Sequence, residues 1–222
     1  WVWNADILES SSDVDIPNSA EPLRPIRIVG PANGLFSGKI HVGSPSGISG
    51  LSASISDLRG SAGVIPAGSV SIRYGIPWGN DNAYFGRDTT WSPRPFYGGV
   101  ADKPLPSYPP SGSIEGSFPG TVVPVWVSVK IPKEAGAGEY RGMVTVRASG
   151  RSVEVPVEVR VLGGRLPDPG EYRTWVELVQ SPDTLAVEYN VPLWSEKHWE
   201  MIGRSFELIR PTGSGVVYVP AI

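Results

Sequence analysis

The chain has 222 residues and a formal net charge of −3, enough for one large domain or for one domain and part of another. Glycine (27) and proline (23) together make up about 23% of it, roughly twice their usual share. This composition argues against a helical bundle and favours short strands joined by turns. The charge provides no basic surface for nucleic acid or an anionic membrane, and no apolar run is long enough to span a bilayer.

Cysteine is absent, which excludes disulfides, thiolate metal ligands and cysteine nucleophiles. The two histidines, His41 and His198, do not occur in a metal-binding spacing, so we expect neither a metal nor a cofactor. For His198 the expected role is packing or surface exposure, and the G-x-S-x-G signature of a serine hydrolase does not occur. The chain begins with Trp1 and without a signal-peptide pattern, so we expect its original start to have been removed or to lie upstream.

Short segments with alternating apolar residues dominate the first 160 residues. Four of them, separated by Gly, Pro and Ser turns, predict strands at 25–30, 35–42, 51–56 and 70–74. The strongest alternation follows at 125–131, 144–147 and 153–161, where valines occupy every second position. This pattern predicts an antiparallel β-sandwich over residues 1–162. Pro156 cannot donate a ladder hydrogen bond, so its strand is expected at a sheet edge or with a bulge.

Residues 75–120 interrupt this pattern with many aromatic residues among repeated Gly and Pro. A loop of this length in a compact domain is uncommon. Its aromatic residues either pin the loop onto the sandwich or present ring faces to a sugar, and both alternatives stay open. Trp78 and Trp91 are the candidates for stacking on a carbohydrate.

The character of the chain changes at a predicted linker, residues 163–171. Beyond it we predict a strand at 172–179, a helix at 196–210 with Ser195 as its N-cap, and an apolar strand at 216–219. The helix carries an apolar stripe with helical spacing: Trp199, Ile202, Phe206 and Ile209. Such a β-α-β unit cannot bury its own sheet, so residues 172–222 are predicted to be the start of a truncated (β/α)8 barrel.

Candidate substrate-binding residues lie in this second part. Glu177 is a carboxylate in the predicted first strand, and Gln180 lies where that strand ends, the edge at which barrel active sites collect. Tyr218 occupies the same place on the next strand. A salt-bridged structural role for Glu177 and a loop-stabilising role for Gln180 are the alternatives.

Several runs of residues resemble glycoside hydrolase family 123 and its uncharacterised relatives. The densest are VPVWVSVKIPKEA (123–135), GEYRG (138–142) and VTV (144–146), which resemble the family's last sandwich strands. LPDP (166–169) is similar to its linker, and VQSP (179–182) with VPLWSEKHW (191–199) to its entry into the catalytic barrel. ANG (32–34), ISDLRG (55–60) and VIPA (64–67) resemble the first half of the sandwich.

The resemblance implies an N-terminal β-sandwich that supports a catalytic barrel, in an exo-acting, retaining β-N-acetylgalactosaminidase. In that family the substrate's acetamido oxygen attacks the anomeric carbon, an Asp orients the amide, and the adjacent Glu is the acid/base. No adjacent Asp-Glu pair occurs in this chain, so no catalytic residue is assigned and the segment by itself is predicted to be inactive. The implied partners are a glycan substrate and the rest of the barrel, or another chain covering the β-α-β unit; the implied location is secreted or periplasmic. A non-catalytic carbohydrate-binding or structural sandwich is the alternative.

Overall fold

The structure is a computed structural model that describes residues 1–11, 15, 17–80, 95–109, 120–174, 176–178 and 181–214. Within them the chain is mainly β and divides into two compact units, residues 1–166 and 167–222. The domain limits and the linker inferred from the sequence stay predictions.

The first unit contains thirteen strands within its described residues. They are β1 Val2–Ala5, β2 Ile26–Ala32, β3 Leu35–Ser44, β4 Ile48–Ser49, β5 Ser52–Ile55, β6 Leu58–Gly60, β7 Gly63–Ile65, β8 Val70–Asn80, β9 Pro95–Ala101, β10 Ser107–Tyr108, β11 Thr121–Lys130, β12 Gly138–Ala148 and β13 Arg151–Arg165. Each strand predicted before residue 162 is present, most of them one or more residues longer than expected.

The first sheet has the order β1-β3-β11-β8-β9, and all its neighbours are antiparallel. Strand β11 lies at its centre and pairs with β3 over ten residues, from Thr121 opposite Ser44 to Lys130 opposite Leu35. The valines that alternate along β11 all point into the protein and are fully buried, as the period-two pattern predicts: Val123, Val125, Val127 and Val129.

The second sheet has the order β2-β13-β12-β6-β7, with β5 pairing to β12. Strand β13 is not an edge strand, because β12 flanks it on one side and β2 flanks it in parallel on the other. Pro156 is nevertheless tolerated: the β2 register begins only at Val157 opposite Ile26, so Pro156 has a strand neighbour on one side alone. A register shift occurs further along, between Leu162 and Arg165.

The two sheets enclose one core, which draws buried side chains from both. The sheets approach each other closely at Gly38 of β3, where a Cβ atom would lie 2.3 Å from Cγ2 of Ile26 in β2. One hydrogen bond also joins the sheets, since the Ala53 amide donates to the Tyr74 hydroxyl at 2.7 Å. The core therefore combines apolar packing with a directional contact between the layers.

The stretch at 75–120 is not a single long loop. Strand β8 continues to Asn80 and pairs with β9, while β10 pairs with β4 as a small two-stranded sheet. Tyr108 of β10 is buried in the core, and its hydroxyl accepts a hydrogen bond from the Leu105 amide. For Tyr108, the interpretation that an aromatic residue pins this stretch onto the sandwich is correct. The sequence pattern does not predict β9, β10 or the last residues of β8, because Gly and Pro interrupt the alternation of apolar and polar residues there.

The second unit contains α1 Pro182–Glu188 and α2 Glu196–Ile209. The strand predicted at 172–179 is wrong for the residues described there, since 172–174 and 176–178 form no strand. An extended apolar segment becomes a strand only when a neighbour satisfies its backbone groups, which a local pattern cannot guarantee. The apolar run at 216–219 lies outside the described residues, so the β-α-β unit and the barrel stay predictions.

Candidate functional site

The structure describes the side chain of only one of the five candidate binding residues, Glu177. Trp91, Gln180 and Tyr218 lie outside the described residues, and Trp78 lies in β8 with only its backbone described. Glu177 is exposed in a segment without regular structure and takes part in an interaction with another residue. Carbohydrate binding by these five residues therefore stays a prediction.

The outward face of the first sheet carries a group of buried polar residues that the sequence did not reveal. Lys39 and His41 alternate on β3 with the inward Ile40 and Val42, so both point away from the core. They are nevertheless only 3% and 4% exposed. Glu9, Ser11 and Asp15 of the N-terminal region contact them, the Trp3 ring packs edge-on against His41, and the Trp126 ring lies beside the Lys39 ammonium. We call the three residues Glu9, Ser11 and Asp15 the N-terminal strap.

The strap is attached by hydrogen bonds to both side chains. The Lys39 ammonium donates to the backbone oxygen of Glu9 and, at 3.1 Å, to the hydroxyl of Ser11. Ser11 Oγ also lies 2.8 Å from Nε2 of His41. Because the ammonium can only donate, Ser11 accepts from Lys39 and its own hydrogen is available for His41. Two outward-facing residues of one strand thus hold the same serine.

Burial lowers the pKa of His41 to about 4; Asp15 opposes this shift and the neighbouring Lys39 charge adds to it. The ring is therefore neutral near pH 7, and Nε2 can accept the Ser11 hydrogen while Nδ1 carries the ring hydrogen. Nδ1 faces Asp15 Oδ2 at 3.7 Å, too long for a hydrogen bond, and has no hydrogen-bond partner among the described residues. Burial likewise lowers the pKa of Lys39, opposed by three carboxylates of the N-terminal region: Asp15, Glu9 and Asp6.

This serine, histidine and aspartate do not form a working catalytic triad. Ser11 is only 6% exposed and His41 only 4%, so a scissile carbonyl could not reach the serine oxygen. The second contact that a triad requires, from His41 to Asp15, is 3.7 Å long, too long to orient the imidazole. The group is therefore an attachment of the strap to the sheet.

Next to this group, a row of side chains crosses the same outward face. Trp126 of β11 lies opposite Lys39 of β3 on one side and opposite Arg73 of β8 on the other. The Lys39 ammonium lies 5.4 Å from the centroid of the Trp126 ring, within cation–π range. Arg73 Nε donates at 2.9 Å to Asp102, which extends the row beyond the sheet.

In the second unit, His198 is a structural residue. It is fully buried, its Nδ1 accepts from the Trp194 amide at 2.9 Å, and its Nε2 lies 2.8 Å from the Pro182 carbonyl oxygen. Since Nδ1 accepts, the ring hydrogen is on Nε2 and is donated to Pro182. This joins the start of α1 to the turn before α2, as the packing role expected for His198 requires.

Metal sites and membrane-spanning helices are both absent from the part of the chain that the structure describes. No group of three or more His, Asp or Glu side chains among these residues could hold a metal ion. No helix among them is long and apolar enough to cross a membrane.

Trp126 is not among the binding candidates inferred from the sequence, although the sequence pattern indicates that its side chain lies on the outer face of the sheet. It alternates with Val125 and Val127, which face the core, so the same period places its indole on the outer face. Ser11 has no comparable signal, because its contact with His41 joins residues 30 positions apart.

Comparison with known proteins gives one informative result. No family model matches the chain. No curated protein matches it either. A solved structure of a family 123 glycoside hydrolase from Clostridium perfringens, which is associated with glycolipid glycan hydrolysis, matches 88% of the chain with a TM-score of 0.67 and 22% identity. The CooA pilin subunit from enterotoxigenic Escherichia coli matches 67% of this chain and 98% of its own at 14% identity, with a TM-score of 0.31 that carries no argument.

The match to the hydrolase shows a shared fold. At 22% identity it shows no more than that, and the chain spans 33% of the length of the hydrolase. The chain therefore has the fold of part of a family 123 glycoside hydrolase.

Proposed function

We propose that this chain is part of a glycoside hydrolase, in which the sandwich packs on and supports a catalytic barrel. The observation that carries the proposal is the fold match to a glycolipid-hydrolysing enzyme over 88% of the chain. The family-like runs of sequence on both sides of residue 166 support it. A sandwich with a continuous apolar core is a rigid body of the kind that can hold a second domain in place.

The proposed reaction is exo-acting, retaining hydrolysis of a β-linked N-acetylhexosamine, with N-acetylgalactosamine as the favoured sugar. The acetamido oxygen of the substrate attacks the anomeric carbon, while a carboxylic acid protonates the leaving oxygen. Because no Asp and Glu are adjacent in this chain, the proposed carboxylate pair lies outside these 222 residues. Glu177, Gln180 and Tyr218 are proposed as substrate contacts, and secretion or periplasmic location stays a prediction.

The test compares the product of the complete gene with the 222-residue chain. Intact mass first establishes whether the natural protein exceeds 23.7 kDa. We expect the longer protein to release the aryl group from an aryl N-acetyl-β-galactosaminide, and the 222-residue chain to release none. The first product seen by NMR should be the β-anomer.

Two results would contradict the proposal. One is equal activity on an aryl galactoside without the acetamido group, because substrate assistance requires that group. The other is a first product with the α-configuration, which would indicate inversion.

A further inference from the structure

The outward face of the first sheet carries two adjacent rows of side chains that suit a hydroxylated ligand. The first is the row Lys39–Trp126–Arg73 described above. In the second, two residues along, Ser128 of β11 lies opposite Ser37 of β3 and Ser71 of β8. We call these six residues the Trp126 face.

The Trp126 face combines an aromatic ring with hydroxyl groups on one rigid surface. Trp126, Ser37 and Ser128 are half-buried, and Ser71 is exposed, so each retains access to solvent. The Ser37 and Ser128 hydroxyls lie 2.7 Å apart, which fixes both side chains while leaving acceptor capacity on their oxygens. Regular strand pairing holds all of these groups in register, so little conformational freedom would be lost on binding.

The charges on this face are balanced. Arg73 is paired with Asp102, and the ammonium of Lys39 is occupied by the strap. No surplus positive charge is therefore directed at an anion from these residues. An arginine–carboxylate pair offers donors and acceptors side by side, which matches the hydroxyl groups of a neutral sugar.

A cavity of about 320 Å³ adjoins this face and shares Ser37 and Lys39 with it. Its other polar residues come from the N-terminal region and the start of β2: Asn4, Asp6, Arg24 and Arg27. Here too the cations are paired, Arg24 with Glu21 and Arg27 with Glu158. The volume lies at the lower end of the range for small-molecule sites, about 300–1,000 Å³.

We propose that the Trp126 face and the adjoining cavity bind a neutral oligosaccharide. The apolar C–H face of one sugar ring stacks on the Trp126 indole, and its hydroxyl groups bond to the serine row and to the Arg73–Asp102 pair. A neighbouring ring occupies the cavity beside Ser37. This is non-covalent binding by the sandwich alone; it goes beyond the proposed hydrolase activity and does not depend on it.

The experiment measures binding of the full 222-residue chain to a neutral glycolipid-derived tetrasaccharide and to its sialylated counterpart. Calorimetry gives the affinity, and saturation-transfer NMR shows which sugar protons lie against the protein. We expect a dissociation constant of about 0.1–1 mM for the neutral sugar. Trp126→Ala and Arg73→Ala should each weaken it by about tenfold.

Matched variants distinguish binding from folding. Trp1→Ala removes another solvent-exposed tryptophan, 69% exposed and away from these rows, and should leave the affinity unchanged. Circular dichroism checks that each variant is folded. If Trp126→Ala does not fold, Arg73→Ala decides, because its side chain is 50% exposed.

Four results would overturn the proposal: no binding of the neutral sugar at millimolar concentration, unchanged affinity in folded Trp126→Ala and Arg73→Ala, tighter binding of the sialylated sugar, or self-association of the chain that Trp126→Ala abolishes. The last would identify the face as an interface between copies. A longer protein that fails to hydrolyse aryl glycosides would refute the proposed function and leave this binding result intact.

Discussion

At the scale of single residues, the main finding is that two outward-facing side chains of one strand are buried. Lys39 and His41 occupy positions that ordinarily face water, and the N-terminal strap covers them. Burying an ammonium is costly unless it is hydrogen-bonded, and Glu9 and Ser11 supply those bonds. The strap therefore contributes to stability as a partner of buried polar groups.

The pKa of His41 predicts a pH dependence of stability. Its folded pKa of about 4 lies below the ordinary histidine value of 6.5, so between these values the unfolded chain binds more protons. Stability from this residue is complete above pH 6.5 and is lost as the pH falls toward 4. We expect urea titrations of the whole chain to show a loss of about 2–3 kcal/mol over this range from His41.

The control for this prediction is His41→Gln, which keeps a polar side chain but does not titrate. Carboxylates also titrate over this range, so the difference between the two chains isolates the histidine. The variant should be less stable near pH 7 and show a shallower loss on acidification. Equal slopes for the two proteins would show that His41 does not cause the dependence.

At the scale of elements, α2 begins and ends where the sequence indicates. Ser195 accepts a hydrogen bond from the His198 amide at 3.3 Å, and the helix runs Glu196–Ile209 before Pro211. Its buried side is narrower than the predicted stripe. His198 and Ile202 are buried, whereas Trp199 is 56% exposed and Phe206 40% exposed. Periodicity identified the helix, but its buried side depends on neighbours.

Ser195→Ala should loosen the first turn of α2. The loss of an N-cap costs about 1 kcal/mol, which corresponds to roughly fivefold faster local opening. Hydrogen exchange followed by mass spectrometry should therefore show faster exchange at 196–199. Ser195→Asp retains an acceptor and places a negative charge at the helix start, but it loses the 2.8 Å hydrogen bond that the Ser195 hydroxyl donates to the Pro192 carbonyl. Its exchange should therefore lie closer to that of the unchanged chain than the exchange of the alanine variant does. Equal exchange in the alanine variant would mean that the cap contributes nothing.

At the scale of the whole molecule, the first unit contains nearly all of the buried apolar residues that the structure describes, and hydrogen bonds hold the end of its last strand in place. Leu166 donates to the Ala32 carbonyl at 2.9 Å, and its own carbonyl accepts from Asn33 at 3.0 Å. Arg165 also pairs with Ala32 across the register shift. These contacts lie beyond residue 162, the end of the sandwich that the sequence pattern predicts.

Two truncations test where the first unit ends. A chain ending at Leu166 should unfold cooperatively, with stability within about 1 kcal/mol of the first unit in the whole chain. A chain ending at Leu162 loses the contacts of Arg165 and Leu166 and should be less stable by about 2 kcal/mol. Guanidinium titrations followed by circular dichroism measure both. Equal stability of the two would favour the boundary at 162.

The sequence by itself determined the β class of the first unit, seven of its thirteen described strands and the inward face of those in which valines alternate. Alternation of apolar residues is a local property, and burial of one face follows from it, as the valines of β11 and β13 show. The Ser195 cap and the limits of α2 were likewise predictable, because the residues that start and stop a helix lie next to it in the sequence.

Only the tertiary structure decided which strands pair, whether Pro156 lies at an edge and what covers Lys39 and His41. Each of these depends on contacts between residues far apart in the chain, such as Val157 with Ile26 and Ser11 with His41. The Trp126 face arises in the same way, because three strands from different parts of the chain align Ser37, Ser128 and Ser71 in one row. Backbone pairing across a sheet creates such surfaces, and a local sequence pattern does not identify the strand with which a segment pairs.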